Sequence, residues 1–230
     1  MPNEAPPDEP APTPRPREET MPQSWIGRAG MALSVVLLLA AIGVAGWWYV
    51  SQPGDRLQSV DGSGHVPIGG PFELVDQSGE TVTQAAFAGQ YTLVYFGFTY
   101  CPDVCPTALW AMTQALDRLA EEAPEKAAQV TPVFITIDPE RDDVAAMKDY
   151  AAHFHPRLVA LTGTPDQIAA VAREYRVYYR KVEEDPDSPY MMDHSGFIYL
   201  MGPDGDFLKS FTHQTQPDEM RAELEKRVQG

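Results

Sequence analysis

Cysteine is scarce in this chain: 230 residues hold only two, Cys101 and Cys105, four positions apart. A disulfide-stapled scaffold carries more of them at wider spacing, so that class is excluded. A bridge closing so short a loop removes little entropy from the unfolded chain, so stability is a poor reason for the pair. Basic residues are also few, 17 Lys and Arg against 33 Asp and Glu, for a net charge of −16. So acidic a chain repels phosphate backbones, which sets nucleic acid aside as a partner. There is no internal repeat, and no Cys directly follows the one long apolar run, which excludes a lipoprotein anchor.

The composition divides the chain. Residues 1–28 are rich in Pro and Glu and poor in apolar residues, and are expected to be a disordered tail. The run MALSVVLLLAAIGVAGWWYV at 31–50 holds no charge. At ~1.5 Å per residue it spans ~30 Å, a bilayer core, so 29–50 is expected to be a single uncleaved transmembrane helix. Arg15, Arg17 and Arg28 precede the run, while Arg56 alone follows it closely, which places the N-terminus in the cytoplasm. Trp47, Trp48 and Tyr49 suit the outer interface. Residues 51–70 read as a Gly/Ser/Pro-rich linker and 71–230 as the folded domain. No Arg-rich, acid-poor transit peptide precedes the run, so the expected setting is a bacterial inner membrane with the C-terminal domain in the periplasm.

Within the domain, Ser78-Gly79 between Phe72–Val75 and Thr81–Thr83 predicts a hairpin. Tyr91–Phe98 is a continuous apolar-aromatic run, as in a buried central strand. Thr107–Leu119 has helical period, with Leu109, Met112, Leu116 and Leu119 on one face. Further strands are predicted at Val133–Ile137, Leu158–Leu161 and Val177–Val182. Helices are predicted at Asp142–His153, with Asp142 as cap, and at Pro165–Tyr175. A hairpin of Phe197–Met201 with Phe207–Phe211 and a terminal helix Pro217–Val228 complete the order. The expected class is α/β: a thioredoxin-like mixed sheet flanked by helices, with an N-terminal β-hairpin.

The segment YFGFTYCPDVCPTALW puts both cysteines where a strand ends and a helix begins. Pro106 suits the first helical turn, and the free N–H groups there favour a thiolate. Cα atoms four apart in a helix lie ~6 Å apart, so the sulfurs can either bridge each other or face one metal ion. Two thiolates and one imidazole make a soft set suited to Cu(I), or to Cu(II) with an added oxygen ligand. Zinc more often takes a fourth protein ligand. Asp103, between the cysteines, either orients a partner or simply favours the turn. Met191 and Met192 either offer thioethers or pack. His65, His153, His155 and His213 read as surface residues.

Three segments together resemble the Sco/SenC family of copper chaperones for cytochrome c oxidase assembly: FGFTYCPDVCP at 96–106, ITIDPERD at 135–142 and DHSGFIYLMGPDG at 193–205. The resemblance covers roughly 71–228. It implies a thioredoxin fold and copper, Cu(I) or Cu(II), bound by Cys101, Cys105 and His194. It also implies delivery of copper to, or reduction of the cysteines of, the copper A site of oxidase subunit II. Other periplasmic copper chaperones or thioredoxin-like reductases are further expected partners. The alternative is a thiol-disulfide oxidoreductase, or a redox or copper sensor, without delivery. A peroxidase would need a separate resolving residue, which the adjacent pair argues against.

Overall fold

The computed structural model describes residues 40, 67–183 and 189–229. The expected tail, transmembrane helix and most of the linker lie outside the described residues. Among the described residues no helix is long and apolar enough to cross a membrane.

The elements follow the predicted order: β1 (Glu73–Asp76), β2 (Thr81–Thr83), β3 (Tyr91–Gly97), α1 (Val104–Glu122), α2 (Pro124–Ala128), β4 (Val130–Thr136) and α3 (Val144–Ala151). They continue with β5 (Val159–Thr162), α4 (Pro165–Glu174), β6 (Tyr179–Val182), β7 (Met191–His194), β8 (Phe197–Met201), β9 (Phe207–Thr212) and α5 (Pro217–Arg227). Seven strands make one sheet in the order β2-β1-β5-β4-β3-β8-β9. β3, β4 and β5 run parallel, while β1, β2, β8 and β9 pair antiparallel. This is the mixed sheet the sequence predicts. The short α2 and strand β7 were not predicted; β7 pairs with β6 as a separate two-stranded sheet.

Local chemistry explains the elements. The β1–β2 turn is closed by Asp76, whose carboxylate accepts from the Ser78 and Glu80 N–H groups, and by Gly79 at φ +89°. β3 lies between β4 and β8, so every one of its residues is buried, as its unbroken apolar run requires. On α1, Cys105, Leu109, Met112, Leu116 and Leu119 form one buried stripe at helical spacing. Burying each Leu or Met contributes about 1.5–3 kcal/mol before entropy is counted. α4 opens with a capping box, Thr164 against Gln167, and Pro165 in its first turn.

Alternation along β3 sorts the two faces. Tyr95 and Gly97 face α1 and α3: Cys105 crowds Gly97, and the Phe134 ring packs on Tyr150 with centroids 5.5 Å apart. On the other face Phe96 meets Tyr175, at the end of α4, with centroids 5.2 Å apart. Helices therefore cover both faces, and α5 packs beside α1.

Two expectations are corrected. Asp142 does not cap α3; Asp143 does, accepting from Ala146 N at 2.8 Å. Asp142 is instead fully buried and serves the site described below. His155 is not a surface residue but a buried one, its Nδ1 accepting from Arg157 N at 3.1 Å.

Candidate metal centre

The cysteines sit at the C-terminal end of β3, where the parallel strands deliver their connections. Asp103 holds the N-cap position of α1, so Cys105 is the second helical residue and Cys101 lies in the preceding turn. The Asp103 side chain makes no cap; it accepts from the Thr107 hydroxyl at 3.3 Å and is exposed. The Cys101 sulfur takes over the capping task and accepts from Cys105 N at 3.4 Å.

The two thiols are free and differ in environment. Cys101 is half-buried, and a hydrogen bond from the Cys105 side chain, with the N–H groups of Cys105, Asp103 and Val104, lowers its pKa to about 6. Cys105 is fully buried, and its thiol is pushed well up, first by that same hydrogen bond to the Cys101 sulfur and then by desolvation. At neutral pH the pair thus holds one thiolate and one thiol.

His194 closes on this pair. It is the last residue of β7, paired with Tyr179, and its Nε2 stands 3.7 Å from the Cys105 sulfur, 89 residues away in sequence. Its Nδ1 lies 3.1 Å from the Ser195 carbonyl oxygen. A carbonyl only accepts, so Nδ1 carries the proton and Nε2 turns its lone pair toward Cys105. Burial pushes the His194 pKa down, against the pull of the Ser195 carbonyl and Asp193, which keeps the ring neutral. The rings of Phe98 and Tyr95 stand edge-on to it at 6.0 and 6.3 Å.

A soft donor set of this kind fits a first-row metal ion. Metal bonds of about 2.3 Å to sulfur and about 2.0 Å to nitrogen, meeting at about 120°, put the two atoms about 3.7 Å apart, which is the separation seen between Cys105 and His194. The third donor is not yet gathered. Among the described residues no three His, Cys, Asp or Glu side chains stand close enough together to hold an ion as they are. The Cys101 sulfur instead accepts from Cys105 N at the helix N-terminus. Met191 and Met192 pack against the hydrophobic core. His153 Nδ1 lies 3.3 Å from the Tyr150 carbonyl oxygen.

Other residues build the site in roles that the sequence reading did not give them. Gly97 lets the sulfur in: a Cβ there would lie 2.8 Å from Cys105 Sγ and 3.0 Å from Phe134 Cε2. A lone Gly in an unbroken strand run is the available signal for such a close approach. Asp142 fastens the cysteine turn to β4, accepting from Thr99 N at 3.0 Å, Thr99 Oγ1 at 2.6 Å and Thr136 Oγ1 at 2.6 Å. Arg141 clamps the β6–β7 sheet. It pairs with buried Asp138 and donates to the Tyr190 carbonyl at 2.9 Å, and its guanidinium lies 3.7 Å from the Tyr190 ring centroid and 4.9 Å from that of Tyr100. The Tyr190 hydroxyl donates back to Asp138 at 2.8 Å. The DPERD segment is thus a strap between the cysteine turn and the strand that carries His194.

Residues 60–229 match the SCO1/SenC family model. Over 200 residues the chain is 40% identical to the mitochondrial SCO1 homolog 1 of Arabidopsis thaliana, covering 83% of this chain and 57% of that protein. It is 46% identical to an SCO2-like protein of Rickettsia conorii, over 68% of this chain and 75% of the relative. Among solved structures, ScoI of Bradyrhizobium japonicum with copper bound superposes with a TM-score of 0.63 at 45% identity, over 70% of this chain and 99% of that one. With fold, motif segments and the cysteine–histidine juxtaposition all in agreement, the chain belongs to the SCO1/SenC family.

Proposed function

We propose that this chain is a copper metallochaperone, held at the bacterial inner membrane by a helix at 29–50, with the domain of residues 71–230 in the periplasm. Its cargo is copper, bound by Cys101, Cys105 and His194. Its recipient is the copper A site of cytochrome c oxidase subunit II. The observation that carries the reading is the approach of His194 Nε2 to Cys105 at 3.7 Å, with the tautomer already set by Ser195. Two soft sulfurs and a neutral imidazole suit Cu(I). Binding releases the Cys105 proton to solvent, and the Cys101 sulfur completes the set.

A thiol-disulfide role at the same site is supported by the depressed pKa of Cys101. The Cys101 thiolate attacks a disulfide of the recipient, forming a mixed disulfide and releasing one recipient thiolate. Cys105, deprotonated, then attacks Cys101, leaving a Cys101–Cys105 disulfide and a reduced recipient able to take copper.

The test is oxidase assembly in cells whose only copy carries Cys101→Ser and Cys105→Ser. The copper A absorption and oxidase activity are expected to fall severalfold and to recover in part with added copper. Equal oxidase activity in the double-serine cells would sink the proposal.

A further inference from the structure

Beneath the cysteine turn lies a hydroxyl that the fold does not use. Among the described residues, the buried side-chain nitrogens and oxygens without a hydrogen-bond partner are Tyr95 Oη, Tyr150 Oη and Arg141 Nη2. Tyr95 is fully buried in the middle of β3. Its ring stacks on Phe134 with centroids 6.3 Å apart and stands edge-on to His194. A phenylalanine would keep both ring contacts, so packing does not call for the oxygen. A buried hydroxyl without a partner costs stability, and this one is carried by a ring that stands edge-on to His194.

The position of Tyr95 shows what the oxygen is for. Residues 95 and 97 share the sheet face that Cys105 enters. The Cβ that Gly97 lacks would lie 2.8 Å from Cys105 Sγ and 3.1 Å from Tyr95 Cε1, so sulfur and ring edge flank a single point. Without metal that sulfur is protonated, stands 3.7 Å from His194 Nε2, and is a weak acceptor. When a metal displaces the proton, the sulfur becomes an anion inside a buried site, and an anion accepts a hydrogen bond strongly.

We propose that Tyr95 is a positioning residue for copper: its hydroxyl donates to the Cys105 thiolate once the metal is bound, fixing the sulfur and withdrawing electron density from it. This rests on the metallochaperone reading above. The same oxygen is unpaired without copper and paired with it, so its removal has opposite effects in the two states. Hydrogen bonding at a metal-bound thiolate also tunes the reduction potential, because it weakens the donation that favours Cu(II).

The experiment compares wild type, Tyr95→Phe and Tyr150→Phe as reduced full-length chain. Anaerobic competition for Cu(I), the sulfur-to-Cu(II) charge-transfer band, and melting without metal are the readouts. Tyr95→Phe is expected to melt at the same or a higher temperature without metal. It is expected to hold Cu(I) about tenfold less tightly, as loss of one charge-assisted hydrogen bond implies. Its charge-transfer band moves to longer wavelength and its potential falls, because the sulfur donates more freely. Tyr150→Phe removes the other orphan phenol and is expected to leave the band in place. If Tyr95→Phe binds copper as wild type does, with the band unmoved, the inference is wrong. An equal effect from Tyr150→Phe would trace the change to general polarity and overturn it too. Failure of wild type to bind copper at all is the separate failure of the metallochaperone reading.

Discussion

Replacing Gly97 by Ala tests how tightly the site is built. The added Cβ would stand 2.8 Å from Cys105 Sγ, 3.0 Å from Phe134 Cε2 and 3.1 Å from Tyr95 Cε1. Ordinary contact needs about 3.5–4.0 Å, so the sulfur must yield by about 0.7–1.2 Å and each ring atom by at least about 0.4–0.5 Å. The backbone cannot retreat, because β3 is hydrogen-bonded to β4 on one side and β8 on the other. Overpacking of this kind costs about 1–3 kcal/mol. The lower entropy of the unfolded alanine chain returns about 0.4–1 kcal/mol. The net is a loss of about 1–2 kcal/mol, read as a lower urea midpoint at unchanged slope. The sulfur has to move more than the rings, since it is the closest atom, so copper affinity should fall by more than stability alone explains. A Gly97→Ala chain with the wild-type midpoint and wild-type copper affinity would refute the close-approach argument.

Other outcomes follow from the same geometry. Iodoacetamide should modify Cys101 well before Cys105, with a rate that rises through about pH 6, because only Cys101 is both accessible and held as thiolate; mass mapping of the first adduct on Cys105 would contradict this. Asp142→Ala strands the Thr99 N–H and two hydroxyls and should cost about 3–5 kcal/mol, measurable as a large drop in urea midpoint. Burial raises the Asp142 pKa, so the native state binds this proton more tightly than the unfolded chain does, and its contribution to stability falls as pH rises from about 3.8 through the folded pKa; Asp142→Asn should flatten that part of the stability curve. Arg141→Ala removes the strap on Tyr190, so amide exchange should speed up in Tyr179–Val182 and Met191–His194 while Tyr91–Gly97 stays protected.

Much of the fold was legible because its signals are local. The apolar run at 91–98 could only be a buried strand, and Pro106, Pro165 and Pro217 sit in the first turns of their helices. The cysteine pair was legible for the same reason: a strand end, a helix start and a spacing of four. His194 was not, except through the family resemblance, since its partner lies 89 residues away and no local pattern marks it. Strand β7 escaped because Met191–His194 has no alternation and pairs only with short β6. Asp142 and Asp143 are adjacent acids, and only tertiary structure decides that the second caps α3 while the first is drawn inside by Thr99 and Thr136. Tyr95 looked like one more aromatic in a buried strand; its meaning lies in the sulfur that Gly97 admits beside it.

The central claim is that His194 completes a copper site with Cys101 and Cys105. Anaerobic Cu(I) titration of the reduced chain against a competing chelator, with His194→Ala alongside, tests it most directly. Wild type should take up one copper, and His194→Ala should lose at least about tenfold in affinity, since the neutral Nε2 lone pair aimed at Cys105 is gone. Equal affinity in the two chains would show that His194 is a neighbour of the cysteines and not a ligand.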